Sequence, residues 1–462
     1  MKFKGLRATV MGLGHFGGGV AAARWLARQG AIVTVTDLAD RATLREALES
    51  LAHEPIREFH LGSHAEEDFR HADLVVVNPA VRPDDRFVAL AAQSGAQLTS
   101  EIELFFRACP ARMIGVTGSN GKSTTAAMTA KLLEADGRRV WLGGNIGCSL
   151  LDDVERMSPG DWVVLELSSF QLWHLSQGCR VPEIAVVTNC TPNHLNWHPT
   201  FDHYAAAKQR ILSGQQPGDL AVLNTGDDIV ARWDRLARGR VLAPLPLDDL
   251  PPLAVPGEHN RINAACAAAA AVAIGCSTAA IRDGLRSFRG LPQRLELVAT
   301  IAGRRFHNDS AATTPESTIM ALRAFERPIW LLAGGTAKGG DYRGMIEAIA
   351  DRAAGAAFFG SVADSLERQV AARAPRLKSC AVATMAEALA WCWKHSRAGD
   401  EILLSPGCAS QDQFRNYRQR GETFVELVGR LSAAEAKVSV RGTNSRHGEG
   451  SGHSERSEES GV

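Results

Sequence analysis

One decapeptide constrains this chain more than any other stretch: Gly115-Val116-Thr117-Gly118-Ser119-Asn120-Gly121-Lys122-Ser123-Thr124. The apolar run Met113-Ile114-Gly115-Val116 leads into it, and a helical pattern follows from Ser123. A strand that passes through a glycine loop into a helix is the opening of a parallel α/β unit. Closely spaced glycines let backbone N–H groups converge on phosphate oxygens, and the helix N-terminus adds its dipole. On this reading Gly118, Ser119, Asn120, Gly121, Lys122, Ser123 and Thr124 cradle the phosphates of ATP. Lys122 supplies a point charge to the β/γ-phosphates, and Ser123 or Thr124 ligates Mg2+. Val116 stands where the strict P-loop spacing has its first glycine, so a plain glycine turn before a helix is the competing account.

Strand and helix patterns alternate along three segments, which predicts an α/β fold built on parallel sheets. The first segment has strands at 8–11, 31–37 and 74–77 and a helix over 20–29. The second opens near 112, with further strands at 162–166 and 184–187. The third opens near 295, with strands around 305–306, 329–332 and 401–404. Three domains fit a length of 462 residues. The expected boundaries are 1–110, 111–293 and 294–436. The Gly/Ser/charge-rich tail 437–462 lacks apolar periodicity and is expected to be disordered.

Lys+Arg and Asp+Glu both total 51, so no bulk field favours nucleic acid or an anionic membrane. The nine cysteines form no CxxC pair or zinc spacing, which suits reduced thiols of a cytosolic protein. The longest small-apolar run, 264–274, is too short to span a bilayer and reads as a buried helix. Residues 1–5 lead straight into a strand with no signal region. A cytoplasmic protein without membrane insertion is expected.

Other motifs are individually ambiguous. Gly12-Leu13-Gly14-His15-Phe16-Gly17, with Asp37 ending the next strand, resembles a dinucleotide fingerprint. It fits a nicotinamide, another nucleotide, or tight strand–helix packing. Glu166 ends an apolar strand, where α/β sheets place ligands, and suits either a metal ligand or a capping carboxylate. His194, in Asn189-Cys190-Thr191-Pro192-Asn193-His194, is a ligand, an acid/base or a satisfied loop histidine. Lys208, on an amphipathic stretch, reads locally as a solvated charge. Arg294 and Asp309 are ordinary polar residues beside strands.

As an ordered set the motifs resemble the Mur ligases, ATP-dependent amide-forming enzymes of peptidoglycan precursor synthesis. The set comprises the loop at 115–125, Gly143-Gly144-Asn145-Ile146-Gly147, Glu166-Leu167-Ser168-Ser169-Phe170-Gln171-Leu172, His259-Asn260 with Asn263, Leu291-Pro292-Gln293-Arg294, Asn308-Asp309-Ser310 and Leu404-Ser405-Pro406-Gly407-Cys408-Ala409-Ser410-Gln411. It covers about 6–432. The nearest branch adds glutamate to UDP-N-acetylmuramoyl-L-alanine.

The resemblance implies an N-terminal Rossmann-like UDP-binding domain, a central P-loop-type ATPase domain and a C-terminal Rossmann-like amino-acid domain, in a monomer. It implies that Gly14, His15, Phe16 and Asp37 bind the UDP group, and that Asn145, Asn260, Arg294 and Asp309 join the loop in binding ATP. Lys122, His194 and Lys208 become catalytic. Ser123, Glu166, His194 and Lys208 surround Mg2+, Lys208 as a lysine carbamylated by CO2, against its local reading. Thr313, Lys338, Ser410 and Gln411 face the amino acid, D-glutamate.

Three positions depart from the branch's pattern: Ala311 stands for a lysine that meets glutamate, Gln411 for a leucine or phenylalanine, and Asn193 for an aspartate. The same ligation with L-glutamate or another amino acid is therefore the alternative within the class. Outside it, a nicotinamide-dependent dehydrogenase would show cofactor fluorescence without needing ATP. A non-catalytic regulator would bind ATP without turnover.

Overall fold

The structure, a computed structural model, describes residues 3–14, 17–147, 149–337 and 341–445, with backbone alone over 434–445. The chain divides into two compact units, 1–254 with 258–288 and 255–257 with 289–462. Both are α/β, as the alternating pattern predicts.

The first unit carries two all-parallel sheets. One runs β3 (Ile56–Leu61), β2 (Ile32–Asp37), β1 (Arg7–Met11), β4 (Leu74–Val77), β5 (Gln97–Thr99). The other runs β11 (Arg240–Leu242), β10 (Leu220–Leu223), β9 (Ile184–Val187), β6 (Arg112–Thr117), β8 (Trp162–Glu166), β7 (Val140–Gly144). Strands β4, β8 and β9 are buried along their whole length. Helices cover both faces of such a sheet, which is why these strands read as unbroken apolar runs rather than alternations. The small-apolar run at 264–274 falls mostly within the helix Glu258–Ala273, which packs against the helix Lys122–Ala135. Alanine side chains let the two backbones approach closely. One buried apolar cluster takes in Trp25, Leu26 and Phe105 beside the first sheet and Met113, Leu151 and Val163 at the second.

The second unit's sheet runs β12 (Glu296–Ile301), β13 (Arg304–Asn308), β17 (Glu401–Leu404), β14 (Ile329–Gly334), β15 (Ala353–Phe359), β16 (Lys378–Val382). Its one departure from the parallel expectation is the edge pair β12–β13, which is antiparallel. Ala302 and Gly303 join that pair with φ of 46° and 75°. Two successive left-handed residues match the twist of a tight hairpin, and Ala-Gly carries a weaker signal for it than Asn-Gly.

The helix Tyr417–Ser445 ends the described chain, so the segment 437–445, expected to lack order, continues that helix. The Ala433-Ala434-Glu435-Ala436-Lys437 run has high helix propensity and extends the preceding turns. Residues 446–462 lie outside the described residues. Among those described, no helix is long and apolar enough to cross a membrane.

One contact fixes how the first helix sits on its sheet. A Cβ on Gly19 would lie 2.2 Å from the Gly12 carbonyl oxygen and 2.6 Å from Leu13 Cα. Helix propensity alone would favour alanine by about 1 kcal/mol, but backbone atoms cannot give way, and overpacking of this kind costs about 1–3 kcal/mol. The clash wins. Gly19→Ala is therefore expected to lower the urea midpoint of unfolding, and an unchanged or raised midpoint would contradict this packing.

Candidate nucleotide and metal site

Four neighbouring strand ends build the site of the first unit. Strands β9, β6, β8 and β7 lie side by side, and their carboxyl ends lead into Asn189, the Gly118 loop, Glu166 and Asn145 respectively. Parallel sheets gather their ligands at this edge.

The loop is pinned from below by the β9 end. Thr188 Oγ1 donates to the Asn120 carbonyl at 2.6 Å, and Asn120 N–H donates to Asn189 Oδ1 at 2.8 Å. Ser119 Oγ donates to the Thr191 carbonyl at 2.8 Å and meets Tyr204 OH at 2.9 Å. Gly118 and Gly121 have φ of 153° and 80°. A Cβ there would meet Thr188 Oγ1 at 1.9 Å and Asn263 Oδ1 at 2.2 Å, so both positions demand glycine twice over.

Two lysines converge on one carbonyl. Lys122 Nζ donates to the Gly118 and Ser119 carbonyls at 3.0 and 2.9 Å, and Lys208 Nζ donates to the Gly118 carbonyl at 2.7 Å. Lys208 is buried, not the solvated charge of its local reading. Burial, then the Lys122 charge, holds its ammonium well below the usual lysine range. Glu166, also buried, accepts from Ser123 Oγ at 2.5 Å through one oxygen and from Asn145 Nδ2 at 2.7 Å through the other. Ser123, Asn145 and Glu166 thus meet at the loop's mouth.

His194 stands on the next turn in a left-handed conformation, φ 56°. Its carbonyl accepts from the Trp197 and His198 N–H groups, both at 2.9 Å, and its ring lies edge-on to Phe170 at 4.8 Å. Asn260, buried on the helix Glu258–Ala273, accepts from Asn263 Nδ2 at 3.3 Å.

A hydroxyl and a carboxylate in contact at a phosphate loop are hard oxygen donors of the kind Mg2+ takes, since that ion keeps most of its waters and uses one or two protein ligands. Among the described residues no group of three or more His, Cys, Asp or Glu side chains could hold a metal. The Ser123 and Glu166 oxygens are two such donors, a set that fits an ion shared with nucleotide phosphates.

In the first sheet, Gly14 is exposed with φ 71°, while His15 and Phe16 lie outside the described residues. Asp37 accepts from Leu13 N–H and Ala39 N–H, both at 2.8 Å, so its carboxylate shapes the glycine loop.

The second unit holds the remaining candidates. Asp309, past the end of β13, accepts from Ser405 Oγ at 2.8 Å and Leu295 N–H at 3.2 Å. Burial raises its carboxyl to about 7, against the pull of those bonds and of Arg294. Arg294 is exposed, flanked by Gln293 and Leu295 at φ 62° and 48°. Thr313 is half-buried, Ser410 buried and Gln411 exposed; Lys338 lies outside the described residues. The Gly407 N–H donates to the Ala312 carbonyl at 2.9 Å, setting the segments that carry Thr313 and Ser410 together.

Sequence reasoning missed several parts. Fully buried Arg420 donates to Ser310 Oγ and to the Ser310, Cys408 and Ala409 carbonyls at 2.9–3.3 Å. In Arg418-Gln419-Arg420 it reads as one surface charge among several. His198 is also buried: its Nε2 meets Ser169 Oγ at 3.0 Å, and its Nδ1 meets His203 Nδ1 at 2.9 Å. Burial pushes its imidazolium down to about 3.

A phosphate-cradling loop flanked by an oxygen-donor cluster, on the carboxyl edge of a parallel sheet, defines a nucleotide-binding α/β protein. Comparisons with known proteins narrow this. Residues 6–100 match the Mur ligase MurD-like N-terminal domain, 116–242 the Mur ligase middle domain, and 293–408 the Mur ligase glutamate ligase domain. The UDP-N-acetylmuramoylalanine--D-glutamate ligase of Roseiflexus sp. is 38% identical, over 93% of this chain and 99% of the relative. The enzyme of that name from Acidobacterium capsulatum is 36% identical, over 93% and 97%. Among solved structures, the UDP-N-acetylmuramate-alanine ligase MurC of Thermotoga maritima has a TM-score of 0.59 at 18% identity, covering 92% of this chain and all of that one. The MurF ligase of the same organism, in complex with ADP, has a TM-score of 0.56 at 16% identity, over 79% and 95%. The chain belongs to the Mur ligase family.

Asp309 gives the second unit a pH signature. Its carboxyl is raised in the folded chain, so folding retains a proton that the unfolded chain releases near pH 4, and stability falls as pH rises from about 4 to 7. A shift of this size corresponds to about 4 kcal/mol at most. Asp309→Asn is expected to gain thermal stability relative to the parent progressively across that window. A difference independent of pH would show that Asp309 ionises normally.

Proposed function

We propose that this chain is an ATP-dependent ligase that joins D-glutamate to UDP-N-acetylmuramoyl-L-alanine in peptidoglycan precursor synthesis. The observation that carries this reading is the Ser123–Glu166–Asn145 cluster at the mouth of a loop that Lys122 and Lys208 both contact. The substrates come from the names of relatives such as one 38% identical over nearly its whole length. Residues 1–110 form the UDP-substrate domain, with Gly14, His15, Phe16 and Asp37 at the UDP group. Residues 111–293 form the ATPase domain, and 294–436 the amino-acid domain, with Thr313, Lys338, Ser410 and Gln411 toward glutamate. The protein acts in the cytoplasm as a monomer.

A carboxylate is a poor electrophile, and ATP supplies the activation. The alanine carboxylate attacks the γ-phosphorus, ADP leaves, and an acyl phosphate results. The glutamate amine then attacks the acyl carbon, loses a proton, and phosphate departs. Two anions must approach in the first step. Lys122 and the N–H groups at the start of the helix that follows the loop offset that repulsion, and Asn145, Asn260, Arg294 and Asp309 orient the nucleotide. Mg2+, held by Ser123, Glu166 and His194, would neutralise charge on the transferred phosphoryl group. Burial and the neighbouring Lys122 favour the neutral Lys208 amine, the form that adds CO2 and releases a proton to give a carbamate. That modification turns a buried amine into an anionic oxygen donor for the metal.

Phosphate release from ATP, with UDP-N-acetylmuramoyl-L-alanine present and D- and L-glutamate offered separately, tests the proposal. Release is expected with D-glutamate. Release with L-glutamate alone would reassign the amino acid, where Ala311 and Gln411 depart from the branch's pattern, and none with either would sink the reading. Lys208→Ala is expected to lose most turnover and to regain part of it when a short-chain carboxylic acid is added. Full activity without rescue would remove the carbamate.

A further inference from the structure

We propose that His198 is a positioning residue for the metal side of the site, acting through Ser169 and Phe170 on the ring of His194; this rests on the metal role given above to His194. His198 touches none of the reacting groups named so far, yet it is the point where three site-bearing segments meet. Its ring nitrogens contact Ser169 on the segment after Glu166 and His203 on the first turn of the helix Phe201–Ser213, which carries Lys208. Its backbone N–H donates to the His194 carbonyl.

The geometry leaves the ring one kind of role. A neutral imidazole has one donor and one acceptor nitrogen. If Nδ1 donates to His203, Nε2 accepts the Ser169 hydroxyl; if Nε2 donates to Ser169, Nδ1 accepts from His203. In both tautomers Ser169 is tied to the helix through a single ring, with no slack. Phe170, the next residue, stacks on His198 with centroids 5.6 Å apart and planes 16° apart, and it also meets the edge-on ring of His194 at 4.8 Å. Trp197 closes the group, 4.5 Å from His198 and 5.0 Å from Phe170. His194 sits in a left-handed conformation that a non-glycine residue holds only when its surroundings enforce it. Its turn supplies two N–H groups, and the Phe170 ring is a wall for its side chain. Remove the Ser169 bond, and that wall loses its anchor. Residues that orient a metal-binding histidine typically change metal affinity by about 10–100-fold when replaced.

Three substitutions separate the parts of this argument. His198→Phe keeps a flat ring for stacking and loses both hydrogen bonds. His198→Gln places an amide where Nε2 lies and keeps the Ser169 bond. His198→Asn places one where Nδ1 lies and keeps the His203 bond. Mn2+ binding in the presence of ADP, followed by electron paramagnetic resonance, reads the site without requiring turnover. His198→Phe is expected to weaken Mn2+ by tenfold or more, His198→Gln to recover most of the affinity, and His198→Asn to recover little. Circular dichroism melting reports the fold of each variant, and a weakened variant counts only if it melts as a single folded species at the assay temperature; the His198→Gln and His198→Asn pair decides if His198→Phe does not. Parental affinity in a folded His198→Phe, or equal affinities in the glutamine and asparagine variants, overturns the proposal. Mn2+ binding that follows the expected order in a protein that releases no phosphate would sink the ligase reading while leaving the role of His198 standing.

Discussion

The nucleotide loop has no room for a side chain at two of its glycines, and the rest of the first unit's site follows from that. Thr188 presses on Gly118 from the end of β9, and Asn263 presses on Gly121 from the helix Glu258–Ala273. These approaches hold the loop in left-handed conformations, and the Ser119 and Asn120 N–H groups are tied to Asn189, so the loop enters the helix Lys122–Ala135 at a fixed angle. Thr188 and Asn189 act as a floor by bonding to the Asn120 carbonyl, which would otherwise be a stray acceptor. A loop built this way spends its rigidity before any ligand arrives, and a phosphate meeting it orders little.

That rigidity is set against an electrostatic imbalance. Lys122 and Lys208 share the Gly118 carbonyl, and one buried carboxylate, Glu166, lies opposite, already bonded to Ser123 and Asn145. A carbonyl dipole offsets only part of two positive charges. The imbalance resolves either by a bound polyanion or by Lys208 giving up its proton, and both push toward the same chemistry. A neutral, buried amine is a nucleophile, so the burial that works against the Lys208 charge also favours its reactive form.

The sequence exposes what depends on runs and misses what depends on meetings. Strands β4, β8 and β9 were legible because burial on both faces makes an unbroken apolar run. The Gly118–Thr124 turn was legible as a strand-to-helix loop because an apolar run leads into closely spaced glycines and a helical pattern follows. Strand β15, Ala353–Phe359, carries too little β-branched character to announce itself, and the Ala302-Gly303 hairpin hides in an unusual turn pair. Lys208 reads as a surface charge because its helix is amphipathic; its burial comes from strand ends more than 80 residues away in sequence, Gly118 among them. His198 and Arg420 were invisible for the same reason. Their partners are set by topology, and a lone histidine or arginine carries no local trace of it.

Arg420 shows the cost such a meeting bears. Burial lowers its guanidinium to about 10, so the fold works against its charge, and its partners are neutral oxygens, the Ser310 hydroxyl and three carbonyls. An apolar residue of similar volume would avoid the desolvation but would take the donor away from the Ser310 and Cys408 carbonyls. What the arginine does that an apolar side chain cannot is bind two loops at once. Ser310 follows Asp309 at the end of β13, and Cys408 and Ala409 precede Ser410 beyond β17. One planar donor group with fixed angles holds both segments at a set separation. Asp309 beside it is also raised by burial, so the second unit keeps two strained ionisable groups at one strand edge. Charges held this way against their solvation are a poor device for stability and a good one for placing backbone.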